Sequence, residues 1–112
     1  MVRKLMIALA ALGISLSFAG QMAAAEETHL SQAISHTREA VVAGREGKPN
    51  ALVLHATEAL GHANAAQQEK PNTHVKAGIR RLKEAINFGK AKRSSATKIA
   101  DRALQEFERA PQ

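Results

Sequence analysis

Apolar residues return every three or four positions along most of this chain, the period of one face of an α-helix. Leu30, Ile34, Thr37 and Val41 share such a face, with Ala33 and Ala40 beside them. Thr28 is placed to cap its start. GREGKPN then breaks the pattern, because Gly44 and Gly47 weaken a helix and Pro49 disfavours helical geometry at Lys48. A second helix opens near Asn50 and runs through Val53, Ala56, Leu60 and Ala63 to about Gln68. After QEKPNT, a third runs from about Asn72 through Val75, Ile79, Leu82 and Ile86 to Gly89. GKAKRS separates it from a fourth, capped by Ser94 or Ser95, whose apolar side is Ile99, Ala103, Leu104 and Phe107. Four helices with short connections predict an all-α, up-down antiparallel four-helix bundle.

The helices come as two similar hairpins, about 28–68 and about 72–110. HLSQAISHTREAVVAG (29–44) overlays HVKAGIRRLKEAINFG (74–89), matching His29 with His74, Ile34 with Ile79, Glu39 with Glu84, Ala40 with Ala85 and Gly44 with Gly89. With one residue dropped from the later loop, HATEALGHA (55–63) falls on IADRALQEF (99–107). Such self-similarity is the mark of an internal repeat.

Ahead of the helices, MVRK carries positive charge, LMIALAALGISLSFAG is an apolar run with no charged residue, and Ala23-Ala24-Ala25 offers a small-residue cleavage site. That order predicts a secretory signal peptide over residues 1–25, cut after Ala25, and hence a periplasmic protein. The apolar run is short for a membrane span. The bundle then occupies residues 26–112.

Composition narrows the chemistry. The sequence has no cysteine, which excludes disulfides, thiolate metal sites and c-type haem attachment. Residues 26–73 hold four Lys/Arg against six acids, whereas residues 74–112 hold ten against four. A basic half can meet anionic lipid or an acidic partner. Arg80, Arg81, Lys83, Lys90, Lys92 and Arg93 surround Ile79, Leu82, Ile86 and Phe88, a pattern also expected of a plain solvated helix face. Nucleic acid is not an expected partner of an exported protein. The chain lacks G-x-S-x-G, P-loop, H-E-x-x-H and Rossmann patterns, and nothing in it argues for an enzyme.

The histidines are the chemical signal. His29 and His36 bracket one octet, HLSQAISH, and His55 and His62 bracket another, HATEALGH. Seven residues is two helical turns, so each pair shares a face but stands roughly 10 Å apart along the axis. Metal–nitrogen bonds of about 2 Å cannot span that gap, so each histidine needs a partner from another helix. Folding the first hairpin about Lys48 places His36 beside His62 and His55 level with about Val41 and Ala43. The next connection sets His74 near His29, where Glu26, Glu27 or Glu69 can assist. Glu39, Glu58 and Glu84 lie on separate helices, as acids do in di-iron bundles, but the E-x-x-H motif is absent. His36 with Glu39, and His55 with Glu58, are instead i,i+3 pairs suited either to sharing an ion or to a surface hydrogen bond.

The repeated H-x-x-E-A-hydrophobic periodicity, NTHVKAGIRRLKEAINFGK, ATEALGHA and the signal peptide together resemble the small metal-binding protein family. The resemblance spans essentially the whole mature chain. It implies an exported, cysteine-free, histidine-rich four-helix bundle that binds divalent transition metals for buffering or scavenging. Where the family pattern favours histidine, this chain carries Ala43, Arg81, Phe88, Ile99 and Glu106. His29, His36, His55, His62 and His74 are the matching positions and the candidate metal ligands. The expected function is low-capacity periplasmic binding of Cu²⁺, Ni²⁺ or Zn²⁺ by a monomer, with Cu²⁺ first in intrinsic stability order. The alternative is a non-metal helical adaptor whose basic second hairpin binds an anionic surface or partner protein.

Overall fold

The computed structural model describes residues 27–112. The expected signal peptide, its cleavage after Ala25, and Glu26 lie outside the described residues. Four helices follow one another: α1 (His29–Arg45), α2 (Pro49–Glu69), α3 (Thr73–Lys90) and α4 (Ser95–Arg109). No strand occurs among the described residues, and no helix among them is long and apolar enough to cross a membrane.

Local chemistry sets the helix ends. Thr28 caps α1, its hydroxyl accepting from the Ser31 amide at 3.0 Å. Asn72 caps α3 by accepting from the amides of His74 and Val75. Pro49 stands at the first turn of α2, where its missing N–H costs nothing. The expected serine cap of α4 is not made. Ser94 is itself in helical geometry, with no side-chain capping bond, and Ser95 is already helical. The carbonyls of Arg93 and Ser94 instead receive the amides of Ala96 and Thr97.

The first and third helices end alike. Lys48 N–H bonds Ala43 O, and Gly47 N–H bonds Gly44 O; Arg93 N–H bonds Phe88 O, and Lys92 N–H bonds Gly89 O. This paired closure requires a left-handed residue just beyond the helix. Gly47 supplies it in the first loop, with φ 73°, and Lys92 in the second, with φ 58°.

α1 and α3 each pack against both α2 and α4, and the backbones of α1 and α3 do not approach one another. Phe107, Leu52 and Leu82 are fully buried anchors, each stabilising by about 1.5–3 kcal/mol on burial. The stripes expected on α1 and α4 are the buried ones. On α2 the buried stripe is Leu52, Ala56, Ala59, Ala63 and Ala66, while Val53 and Leu60 flank it half-buried. Alanine was the weaker hydrophobic signal, yet small side chains let two helices draw close. Ala33 and Ala40 on α1 are likewise fully buried. On α3, Gly78 leaves room for the Phe107 ring; a Cβ there would stand 2.3 Å from Cε1. Phe88 packs half-buried against the core, with the Arg93 guanidinium 5.1 Å from its ring centroid.

Candidate metal centre

The close seam between α1 and α2 decides where the histidines go. Their seven-residue spacing repeats every two turns, so His29 and His36 rise along one edge of α1, and His55 and His62 along the facing edge of α2. The four rings form one row that alternates between the helices. His29 meets His62 with ring centroids 5.5 Å apart, His62 stacks on His36 at 5.4 Å with 4° between planes, and His36 faces His55 at 6.5 Å. The expected neighbourhood of His36 and His62 is therefore present.

The expected pairing of His29 with His74 is not. α1 and α3 are diagonal in the bundle, so the second connection brings His74 to the right end but to the wrong helix. His74 Nδ1 instead lies 3.0 Å from Glu106 Oε1 on α4. Of the carboxylates expected beside His29, Glu69 is in place, with Oε2 3.6 Å from Nε2.

Around the middle of the row, two i,i+3 pairs converge. Glu39 Oε1 lies 3.0 Å from His36 Nδ1 and 3.5 Å from His55 Nδ1, and Glu58 Oε1 lies 3.6 Å and 3.3 Å from the same two atoms. Donor atoms from His36, Glu39 and His55 all fall within 4.8 Å of one another. An ionised carboxylate can only accept, so the hydrogen bond between His36 and Glu39 is donated by the imidazole Nδ1–H. His55 Nδ1 is buried and makes no hydrogen bond, because its carboxylate neighbours are close but poorly aligned. An orphaned buried nitrogen flanked by two carboxylates is costly when empty-handed and well suited to a cation. Two imidazoles and two carboxylates together offer a dication two nitrogen donors and full charge compensation.

Glu39 and Glu58 were not among the five candidate ligands, although the sequence marked each as the i,i+3 partner of a histidine with which it could share an ion. Their signal was the H-x-x-E spacing on both helices, which sets the carboxylate one turn from its imidazole.

A sequence model described as small metal-binding protein matches residues 3–110. The chain belongs to the small metal-binding protein family. No curated protein matches the chain. In this member of the family, four of the five histidines sit on the α1–α2 seam, and the fifth is hydrogen-bonded to Glu106 on the second hairpin. The donor set at His36, Glu39, His55 and Glu58 fits a hard-to-intermediate divalent ion that takes nitrogen and oxygen together.

Proposed function

We propose that this protein is a non-enzymatic, exported binder of divalent transition metal ions, acting as a low-capacity buffer or scavenger in the periplasm. The observation that carries the reading is the convergence of His36, Glu39 and His55, with Glu58 beside them, around an imidazole nitrogen that has no hydrogen bond. An ion would be held at His36 Nδ1 once the ring proton had shifted to Nε2, and would give His55 Nδ1 the partner it lacks. Cu²⁺ leads by intrinsic stability order, with Ni²⁺ and Zn²⁺ as weaker ligands of the same set. The match to the family begins at residue 3 and so includes the segment read as a leader, which supports export. Cross-helix pairs support the up-down course of a monomeric bundle: along α1 and α4, Arg38 meets Glu108 and Arg45 meets Asp101, and along α1 and α2, His29 meets Glu69 and His36 meets Glu58.

The test is calorimetric titration with Cu²⁺, Ni²⁺ and Zn²⁺ at neutral pH, comparing the wild type with His36→Ala/His55→Ala. Saturable binding that drops by at least one equivalent in the variant supports the reading. Identical isotherms for the two proteins would refute the assignment of this site.

A further inference from the structure

We infer that the outer face of the second hairpin, formed by α3 and α4, docks on an anionic lipid surface. The exposed positions of α3 recur at the spacing of one helix stripe: Lys76, Arg80, Lys83, Asn87 and Lys90. All but Asn87 are cations, and at a rise of about 1.5 Å per residue the stripe is about 21 Å long. α4 repeats the device with exposed Lys98, Arg102, Gln105 and Arg109, and the loop between the helices adds Lys92 and Arg93. The acids of this hairpin are already engaged. Glu84 meets Arg81 at 3.1 Å, and Glu106 lies 3.0 Å from His74 Nδ1 and 3.8 Å from Arg109. Asp101 and Glu108 turn aside to Arg45 and Arg38 of α1. Among the described residues, Lys76, Arg80, Lys83, Lys90, Lys98 and Arg102 are left with no carboxylate partner.

The other helices carry no comparable field. The outer stripe of α2 is Asn50, Leu54, Thr57, Gly61, Asn64 and Gln68, without a charge. On α1 the outer cations Arg38 and Arg45 are matched by acids of α4. Because α3 and α4 are packed neighbours, their two stripes lie side by side and their potentials add. The rings of the hairpin are withdrawn: Phe107 is fully buried, and Phe88 packs half-buried beneath the Arg93 guanidinium. Neither stands out to stack on a nucleic-acid base or to enter the acyl region of a bilayer. What remains is a broad array of hydrated lysines and arginines, which suits a surface dense in mobile phosphates, as lipid headgroups are. Attachment is then electrostatic and held at headgroup level. The α1–α2 seam with its histidines lies on the other side of the bundle and stays open to solvent.

The experiment sediments the full chain with vesicles of pure phosphatidylcholine, or of equal parts phosphatidylcholine and phosphatidylglycerol. Binding to pure phosphatidylcholine reports the apolar run at residues 5–20, and the excess on phosphatidylglycerol reports charge. The wild type is expected to show that excess at about 0.1 M salt and to lose it at about 1 M, where the screening length falls from about 10 to 3 Å. Arg80→Gln/Lys83→Gln is expected to weaken the excess about 10- to 30-fold, and so is Lys76→Gln/Lys90→Gln on other turns of the same stripe. All four positions are exposed, so helix content by circular dichroism should match the wild type. Lys48→Gln/Lys70→Gln removes the same charge from exposed positions of the first hairpin and is expected to leave the excess unchanged. Equal loss in that control would mean that net charge alone acts, and would overturn the assignment of the face. If neither α3 variant loses binding, the face is refuted. No excess on phosphatidylglycerol overturns the proposal, and retention on immobilised polyglutamate would then mark the face as one for an acidic protein instead.

Discussion

On the first hairpin, His29 of α1 reaches across its seam to His62 of α2. On the second, His74 of α3 reaches across the matching seam to Glu106 of α4. The expected repeat pairs His29 with His74 and His62 with Glu106, and each contact joins the first helix of a hairpin to its second. Likewise His36 with Glu39 becomes Arg81 with Glu84, bonded at 3.1 Å. One backbone arrangement thus serves two chemistries. Where both partners are imidazoles, the contact is a hydrogen bond between two ring nitrogens. Where one is a carboxylate held by His74, with Arg109 3.8 Å away, the contact is satisfied without any ion. The hydrogen bond from His74 holds the Glu106 carboxyl below its ordinary value of 4.5, helped by Arg109 and Arg81 and opposed by partial burial.

The largest test of this comparison converts the second hairpin to the first. Arg81→His with Glu106→His is expected to add one Zn²⁺ equivalent to the wild-type stoichiometry, read by calorimetry. An unchanged stoichiometry would mean that backbone geometry, rather than side-chain identity, separates the hairpins.

Next comes Gly78→Ala. The new methyl gains about 1 kcal/mol of helix propensity but drives into the buried Phe107 ring, an overpacking cost of about 1–3 kcal/mol. A net loss of up to about 2 kcal/mol is expected, lowering the thermal midpoint by as much as several degrees. A smaller gain is expected from Lys92→Gly, which gives the second loop the residue that the first already has at Gly47. Relieving a left-handed side chain is worth about 0.5–1 kcal/mol in chemical denaturation. Equal stabilities would show that the second loop adapts to lysine at no cost.

The smallest effect concerns acid. Because the Glu106 carboxyl titrates lower when folded, its contribution is present above the ordinary carboxylate range and is lost as pH falls through the lowered value. The stability gap between wild type and Glu106→Gln is therefore expected at mildly acidic and neutral pH and should close in strong acid. A gap that stays constant with pH would trace the effect to packing instead.

How much of this was legible beforehand depends on which force was in charge. Helix periodicity and the Gly and Pro breaks gave four helices with boundaries close to those observed, because both are local effects. On α2, Ala56 and Ala63 were read as part of the apolar face and are buried, but Leu52, Ala59 and Ala66 were overshadowed by the bulkier Val53 and Leu60, since residue hydrophobicity does not reveal how closely two helices approach. Within the first hairpin, folding back about Lys48 brought His36 to His62 correctly. Across hairpins it failed for His29 and His74: loop lengths fix which end of the bundle a residue occupies, whereas its neighbour depends on the order of helices around the axis. Glu39 and Glu58 were visible as i,i+3 partners. Their meeting at one point depends on the register between α1 and α2, which no single-helix pattern contains.

The alternation of the histidine row has a consequence for how the protein could evolve greater capacity. Another step of seven lands on Ala43 at one end of α1, where the side chain is only 6 % exposed, and on Glu69 at the far end of α2, the last helical residue. The row is therefore bounded by core at one end and by the end of the helix at the other. Within these helices the row can lengthen by one step, at Glu69; cargo beyond that would demand a longer α2.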